Sequence, residues 1–173
     1  MNPFATRWRY PIVALGLIAG LQAPSAHAFF PELDIDYQLD HVLVQTSLYT
    51  RHFSPDPSHN NDQELISLEL HTPDRWLAGG ARFINSHDQE SFYVYVGREF
   101  PFWQPSENFE IRGKLTGGLL HGYRGEYRDN IPLNRYGTAP ALLPSVGMRW
   151  GPIEADLIVF GTAGMMVLGG VRF

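Results

Sequence analysis

The sequence predicts an all-β protein: one eight-stranded antiparallel up-and-down β-barrel that crosses a membrane. Three observations carry this. Apolar residues recur with period two in stretches separated by Pro, Gly, Asn and Asp clusters. Beyond the N-terminus no run of about 18 apolar residues offers a transmembrane helix. The N-terminus itself reads as an export signal.

Arg7 and Arg9 form a positive n-region, Pro11 to Leu21 an apolar stretch of 11 residues, and Ala26-His27-Ala28 a small-x-small cleavage pattern. The apolar stretch is too short for a helical span, which needs about 20 residues. Residues 1–28 are therefore expected to be a signal peptide and residues 29–173 a single barrel domain. Loss of Arg7 and Arg9 takes the balance from 13 basic and 18 acidic residues to 11 and 18. That acidity argues against nucleic acid as a partner. Lys114 is the one lysine beside twelve arginines, the better residue for ion pairs in enclosed spaces. Without cysteine there are neither disulfides nor thiolate metal sites, so closure of the sheet or the core must hold the fold.

Strands are predicted at 42–53, 64–71, 76–86, 91–100, 108–122, 141–150, 152–161 and 164–173. Connections after the second and sixth are tight, at Thr72-Pro73-Asp74 and Gly151-Pro152. Those after the first, third and fifth are polar, and the fifth is long, at 123–140. Short turns alternating with longer loops are the habit of outer-membrane barrels, with the turns on the periplasmic side. Met165, Val167, Gly169, Val171 and Phe173 alternate up to a terminal phenylalanine, as a lipid-facing last strand would. With the export signal, this favours a barrel over a periplasmic sandwich. Glu32 to Asp40 also alternates, and would extend the first strand or form a short periplasmic element.

Assigning the more apolar parity to lipid leaves the other parity lining the lumen. Strand direction then places Glu110, Arg112, Lys114, Arg149, Glu154, Asp156 and Arg172 in the periplasmic half. Gly118, Leu120, Leu143, Ile158, Phe160, Met166 and Leu168 fall in the external half. A charged floor thus lies under an apolar upper chamber, with Arg82 counted into the upper half as an exception. Eight strands are too few for an aqueous pore. Packing alone accounts for the floor, whereas an apolar chamber facing the outer leaflet suggests a site for a hydrocarbon chain.

Two polar clusters close strands at the external rim: Arg51-His52, and Asn85-Ser86-His87-Asp88. A histidine near a serine is the minimum equipment for acyl transfer. Such residues are also ordinary turn formers, and His59 and His87 read as solvated loop histidines. Parity puts Ser86 on the lumen set but His52 towards lipid unless a bulge intervenes. His52, His59, His87 and Asp88 show no recognised metal-ligand spacing, so no metal is expected.

Several stretches resemble the lipid A palmitoyltransferase family of Gram-negative outer membranes. Arg128-Asp129-Asn130, Ala141-Leu142-Leu143-Pro144 and Gly151-Pro152 are similar to its RDN, VLLP and YGP stretches, in order. Thr116-Gly117-Gly118 resembles its glycine-containing strand, and Phe83-Ile84-Asn85-Ser86 resembles its F-x-D-S. The resemblance implies an outer-membrane enzyme that moves a phospholipid acyl chain, usually palmitate, to lipid A without cofactor or metal. Its partners would be those two lipids and the outer-membrane assembly machinery. It also implies site roles: His52, Asn85 and Ser86 as catalytic residues, and Gly97 at the floor of the acyl pocket. Gly118, Leu120, Phe160, Met166 and Arg128 would contact substrate. Two departures stand out. Asn85 replaces an aspartate, and His52 lies two residues beyond the position of the family's histidine, which Thr50 occupies. A reading from a different class keeps the barrel but makes it non-enzymatic, with arginines binding or passing a small amphipathic or phosphorylated solute.

Overall fold

A computed structural model describes residues 36–54, 60 and 64–173. The expected export signal and His59 lie outside the described residues. Eight strands run in order: β1 His41–His52, β2 Ile66–His71, β3 Trp76–Ile84, β4 Glu90–Ser106, β5 Phe109–His121, β6 Thr138–Trp150, β7 Ile153–Val159 and β8 Gly164–Arg172. Each pairs antiparallel with its neighbours and β8 pairs with β1, so the sheet closes into a barrel. Every predicted strand is present, and β1 begins only one residue before its expected start. Residues 36–40 are not strand.

Alternation decides what faces where. On β4, Ser91, Tyr93, Tyr95, Gly97 and Glu99 are buried while Phe92, Val94, Val96 and Phe100 are exposed. The same rule exposes Leu68 and Leu70 on β2, Leu115 and Leu119 on β5, Leu142 and Val146 on β6, and Leu157 on β7. An apolar face that circles a closed barrel is a lipid face, because water would solvate it poorly while each strand is hydrogen-bonded to both its neighbours. At the end of the tight turns this face carries an aromatic girdle. Trp103 meets Phe109 edge-on at 5.5 Å, Phe109 meets Trp150 at 6.3 Å, and the Arg98 guanidinium lies 5.2 Å from the Trp76 ring. Such girdles mark the membrane–water boundary. The protein is a transmembrane barrel of the outer-membrane type.

Arg82 corrects the parity count. It points outward, not into the lumen, and pairs with Glu90 at 2.7 Å on the lipid-facing side of β4. Leu77, Gly79, Ala81, Phe83 and Asn85 share the lumen parity instead, so Ser86, expected on the lumen set with Arg82, falls on the other parity, and it is buried in the β3–β4 turn beyond the strand. In the stretch Trp76-Leu77-Ala78-Gly79-Gly80-Ala81 both parities are apolar or small, so alternation cannot fix the register there.

Two ladder irregularities bear on function. Between Ser47 and Tyr49 the pairing of β1 with β8 shifts by one residue: Ser47 opposes Leu168 and Tyr49 opposes Val167, leaving Leu48 unpaired. Above this bulge, Thr50 opposes Met166 and His52 opposes Gly164, both lumen positions of β8. The second irregularity is a seam. The β6–β7 ladder ends at Ser145 opposite Ile158, whereas β6 continues through Thr138, bonded to β5 alone. Pro140 and Pro144 lie on that stretch, and proline, which cannot donate to a ladder, belongs at such an edge.

Candidate functional site

The periplasmic half of the lumen is filled by a buried ionic network. Arg112, 1 % exposed, bonds Glu99 and Glu154 and lies 3.3 Å from Asp156. Lys114 bridges Glu69 at 3.0 Å and Asp156 at 3.1 Å. Arg75 forks onto Glu110 with bonds of 3.0 and 2.9 Å. Gln45 donates to Asp156 at 2.6 Å, the Tyr95 hydroxyl donates to Glu69 at 2.9 Å, and His71 contacts the same carboxylate at 2.9 Å. The floor expected from Glu110, Arg112, Lys114, Glu154 and Asp156 is thus real, while Arg149 and Arg172, expected with them, line the polar cavity below and bond the Glu107 carbonyl and Asp40. It also draws on Gln45, Glu69, His71 and Glu99, which sequence reading missed. Their signal was available: Ser67, Glu69 and His71 alternate with Ile66, Leu68 and Leu70. Ions removed from water this completely must be paired, as these are.

Above the floor the lumen turns apolar. Leu65, Met166 and Leu168 form one buried cluster, flanked by Ala81, Phe83, Ile158 and Phe160. Leu77 with Tyr93 and Tyr95 forms another, flanked by Leu120, Ala141 and Leu143. The stacked tyrosines, 4.6 Å apart, lie at the boundary of the two zones: Tyr95 reaches down to Glu69, and Tyr93 donates to Thr116 at 3.3 Å. Gly118 lies against Tyr95, where a Cβ would come within 2.7 Å of the Tyr95 Cα. Gly97 lies at the same boundary, between Leu77 and Thr116, with Glu99 next below it on the lumen face. A Cβ there would meet the Leu115 carbonyl oxygen at 2.6 Å and Thr116 Cγ2 at 2.9 Å. The stretch of β6 without β7 partners runs from Thr138 to Pro144, and Ala141 and Leu143, which flank the second cluster, lie on it.

At the external rim, Asn85 and Ser86 are buried, at 0 and 7 % exposed. Asn85 Oδ1 accepts from the His87 and Gln89 amides at 2.9 and 3.1 Å, which fixes the tight β3–β4 turn and places Asp88 at a positive φ of 56°. That leaves Asn85 Nδ2 buried without a hydrogen-bond partner. The Ser86 side chain hydrogen-bonds Tyr123, and burial pushes the Tyr123 phenol above its usual pKa. His87 is not a solvated loop residue. It stacks on Tyr127 at 3.9 Å, meets Tyr123 edge-on at 6.2 Å and bonds Asn130 at 2.8 Å. The bulge in β1 gives His52 the lumen parity that a regular strand would deny it, at the same external end. β2 lies between β1 and β3 and ends lower, opposite Thr46, so His52 and Ser86 rise from different walls of the mouth. Arg128 lies on the exposed 3-10 helix Gly125–Asn130, paired with Asp129 at 3.4 Å and outside the lumen. Among the described residues, no group of three His, Asp or Glu side chains could hold a metal.

Fold and site together define a small outer-membrane-type barrel with a plugged periplasmic half, an apolar external half and a polar rim. No protein-family profile matches the chain, and no curated protein does. Among solved structures it is similar to the N-terminal β-barrel domain of Pseudomonas aeruginosa OprF. The identity is 15 %, the match covers 78 % of this chain and 97 % of that one, and the TM-score is 0.41. It is also similar to Ail, the attachment invasion locus protein of Yersinia pestis, solved with the heparin analogue sucrose octasulfate. There the identity is 14 %, coverage 77 % and 97 %, and the TM-score 0.38.

Proposed function

We propose that this barrel is an outer-membrane acyltransferase that moves a phospholipid acyl chain to lipid A. The observation that carries the reading is the β6–β7 seam. An apolar upper lumen that adjoins the outer leaflet through an unpaired strand edge gives a hydrocarbon chain a route that never crosses water. The same barrel is closed below by ion pairs, which suits a chain-holding site and not a channel.

In this reading the acceptor hydroxyl of lipid A attacks the donor ester carbonyl as its proton passes to His52. The tetrahedral oxyanion faces Asn85, whose Nδ2 is the unpartnered donor at the rim. Collapse expels the lysophospholipid alkoxide, which takes the proton back from His52. Ser86, tied to Tyr123, orders the polar groups around the reacting carbonyl, and no cofactor takes part. Residues 1–28 act as the export signal and are removed. The test is the mass of lipid A from cells expressing the protein: His52→Ala and Ser86→Ala should abolish the added acyl group, and Asn85→Asp should keep it. An unmutated protein that adds no acyl group overturns the proposal.

One observation favours the non-enzymatic reading. A polar cavity of about 150 Å³ opens at the periplasmic end, lined by Arg75, Arg112, Arg149 and Arg172. Asp40, Glu99, Glu110 and Glu154 line it as well, so its walls carry as many carboxylates as guanidiniums, a poor fit to a phosphorylated solute. The acyltransferase reading stands first for that reason.

A further inference from the structure

Below the ionic network the lumen opens on the periplasmic side as the polar cavity of about 150 Å³. That is room for about five waters, enough for a molecule the size of glycine or alanine. Its guanidiniums and carboxylates balance in number, so an occupant without net charge fits it best. Two places in its wall hold hydrogen-bonding capacity that the protein leaves unused. One is Arg149 on β6. Glu110 and Glu154 stand beside it in the ladder but pair with Arg75 and Arg112, and Arg149 donates to the Glu107 carbonyl at 3.1 Å instead.

The other place lies on β2, which faces β6 across the closed barrel. His71, 1 % exposed, donates from Nε2 to Glu69 at 2.9 Å, since a carboxylate can only accept. Its Nδ1 is then an acceptor, buried without a hydrogen-bond partner and 3.8 Å from a second acceptor, Glu99 Oε1. His41 stacks on the same ring at 4.2 Å, and its Nε2 is buried without a partner too. Two acceptors side by side with no donor between them leave a place for a cationic N–H group.

We infer that this cavity binds a small zwitterion of the amino-acid type, its carboxylate on Arg149 and its ammonium against His71 and Glu99. Each half of the ligand answers one unused place, and neither half alone answers both. A lone anion would satisfy Arg149 but bring its charge up to Glu99 and Glu154, and a lone cation would meet Arg75 and Arg172 at the mouth. The site lies at the opposite end of the barrel from the rim and does not depend on acyl transfer.

The experiment titrates glycine and alanine into the intact barrel in detergent and follows the Arg149 and His71 side-chain signals by NMR. Acetate, methylammonium and inorganic phosphate are titrated in parallel. Both amino acids should shift both signals, and should bind at least about tenfold tighter than acetate or methylammonium, the worth of one charge-assisted hydrogen bond. Arg149→Gln should weaken glycine binding about tenfold, and Arg149→Lys should restore part of it. Arg149 is only partly buried, so the glutamine variant has room to fold. His71→Phe keeps a ring against His41 and removes the acceptor, so it should weaken glycine while acetate binding stays as it was. Should that variant fail to assemble, Arg149→Gln decides alone. Arg135→Gln, on the external loop, should change nothing. No shift with either amino acid, or glycine binding that Arg149→Gln leaves unaltered, overturns the inference. Phosphate or acetate binding as tightly as glycine overturns it as well, in favour of an anion site.

Discussion

Replacing Arg112 by methionine tests whether the ionic floor holds the barrel together. The guanidinium is 1 % exposed and serves three carboxylates, Glu99, Glu154 and Asp156. Asp156 keeps Lys114 and Gln45, and Glu99 keeps the more distant Arg75, 3.9 Å away. Glu154 loses its ion-pair partner inside a closed lumen. Stranding a buried charge costs about 3–5 kcal/mol, or roughly two to three and a half decades in the folding equilibrium. Urea titration of the barrel in lipid vesicles, followed by heat-modifiable gel mobility, reads the difference. Arg112→Met should lower the unfolding free energy by that amount. Adding Glu154→Gln to the same variant should recover a large part, because the stranded charge is then gone. Equal stability of Arg112→Met and the unmutated barrel would refute the reasoning, and so would a double variant no better than the single.

Ala81 touches both apolar clusters of the upper lumen, so under the acyltransferase reading Ala81→Met should shorten the acyl chain added to lipid A while transfer itself survives. The mass of the added group reads this, and an unchanged length removes Ala81 from the chain's path. Deleting Leu48, the unpaired residue of the β1 bulge, should leave the barrel folded and His52 still facing the lumen, since Tyr49 to His52 keep their β8 partners. Acylation should then persist, whereas deleting Val44 from the regular ladder should prevent assembly. Asp40, bonded to His41 and Arg172 just outside β1, titrates below the ordinary carboxylate value of 3.8, first because of the His41 bond. A depressed carboxylate stabilises above that value and loses its contribution as pH falls through the folded one. Because Asp40 is 43 % exposed, Asp40→Asn should cost no more than about 1 kcal/mol at pH 7, and the gap should close in urea titrations as the pH falls below 3.8.

The strands that sequence reading placed best are those whose two parities differ most. β5 sets Glu110, Arg112 and Lys114 against Ile111 and Leu115, and β7 sets Glu154 and Asp156 against Ala155 and Leu157, so one face had to be the interior. β3 offered no such contrast across its small residues, and Arg82 was placed on the wrong face. The length of β4 was also hidden. Its last seven residues, from Phe100, are exposed on both faces, and their pairing with β5 is irregular, so no alternation marks them. The His52 position depends on a single unpaired residue, and a bulge has no local sequence code. Only the register against Gly164, Met166 and Leu168 reveals it. Asn85 was legible as a rim residue, but not its division of labour. That Oδ1 is spent on the turn and Nδ2 is left without a partner follows from the backbone path between Asn85 and Gln89.

Acyl transfer at the rim, as proposed, has a direct test. The most direct measurement is the mass of lipid A from otherwise identical cells that make the unmutated barrel, the His52→Ala barrel, or neither. The account predicts one additional acyl group with the unmutated barrel only, with the His52→Ala barrel assembled and heat-modifiable in the membrane. Lipid A of one mass in all three, or full acylation by the His52→Ala barrel, would contradict it.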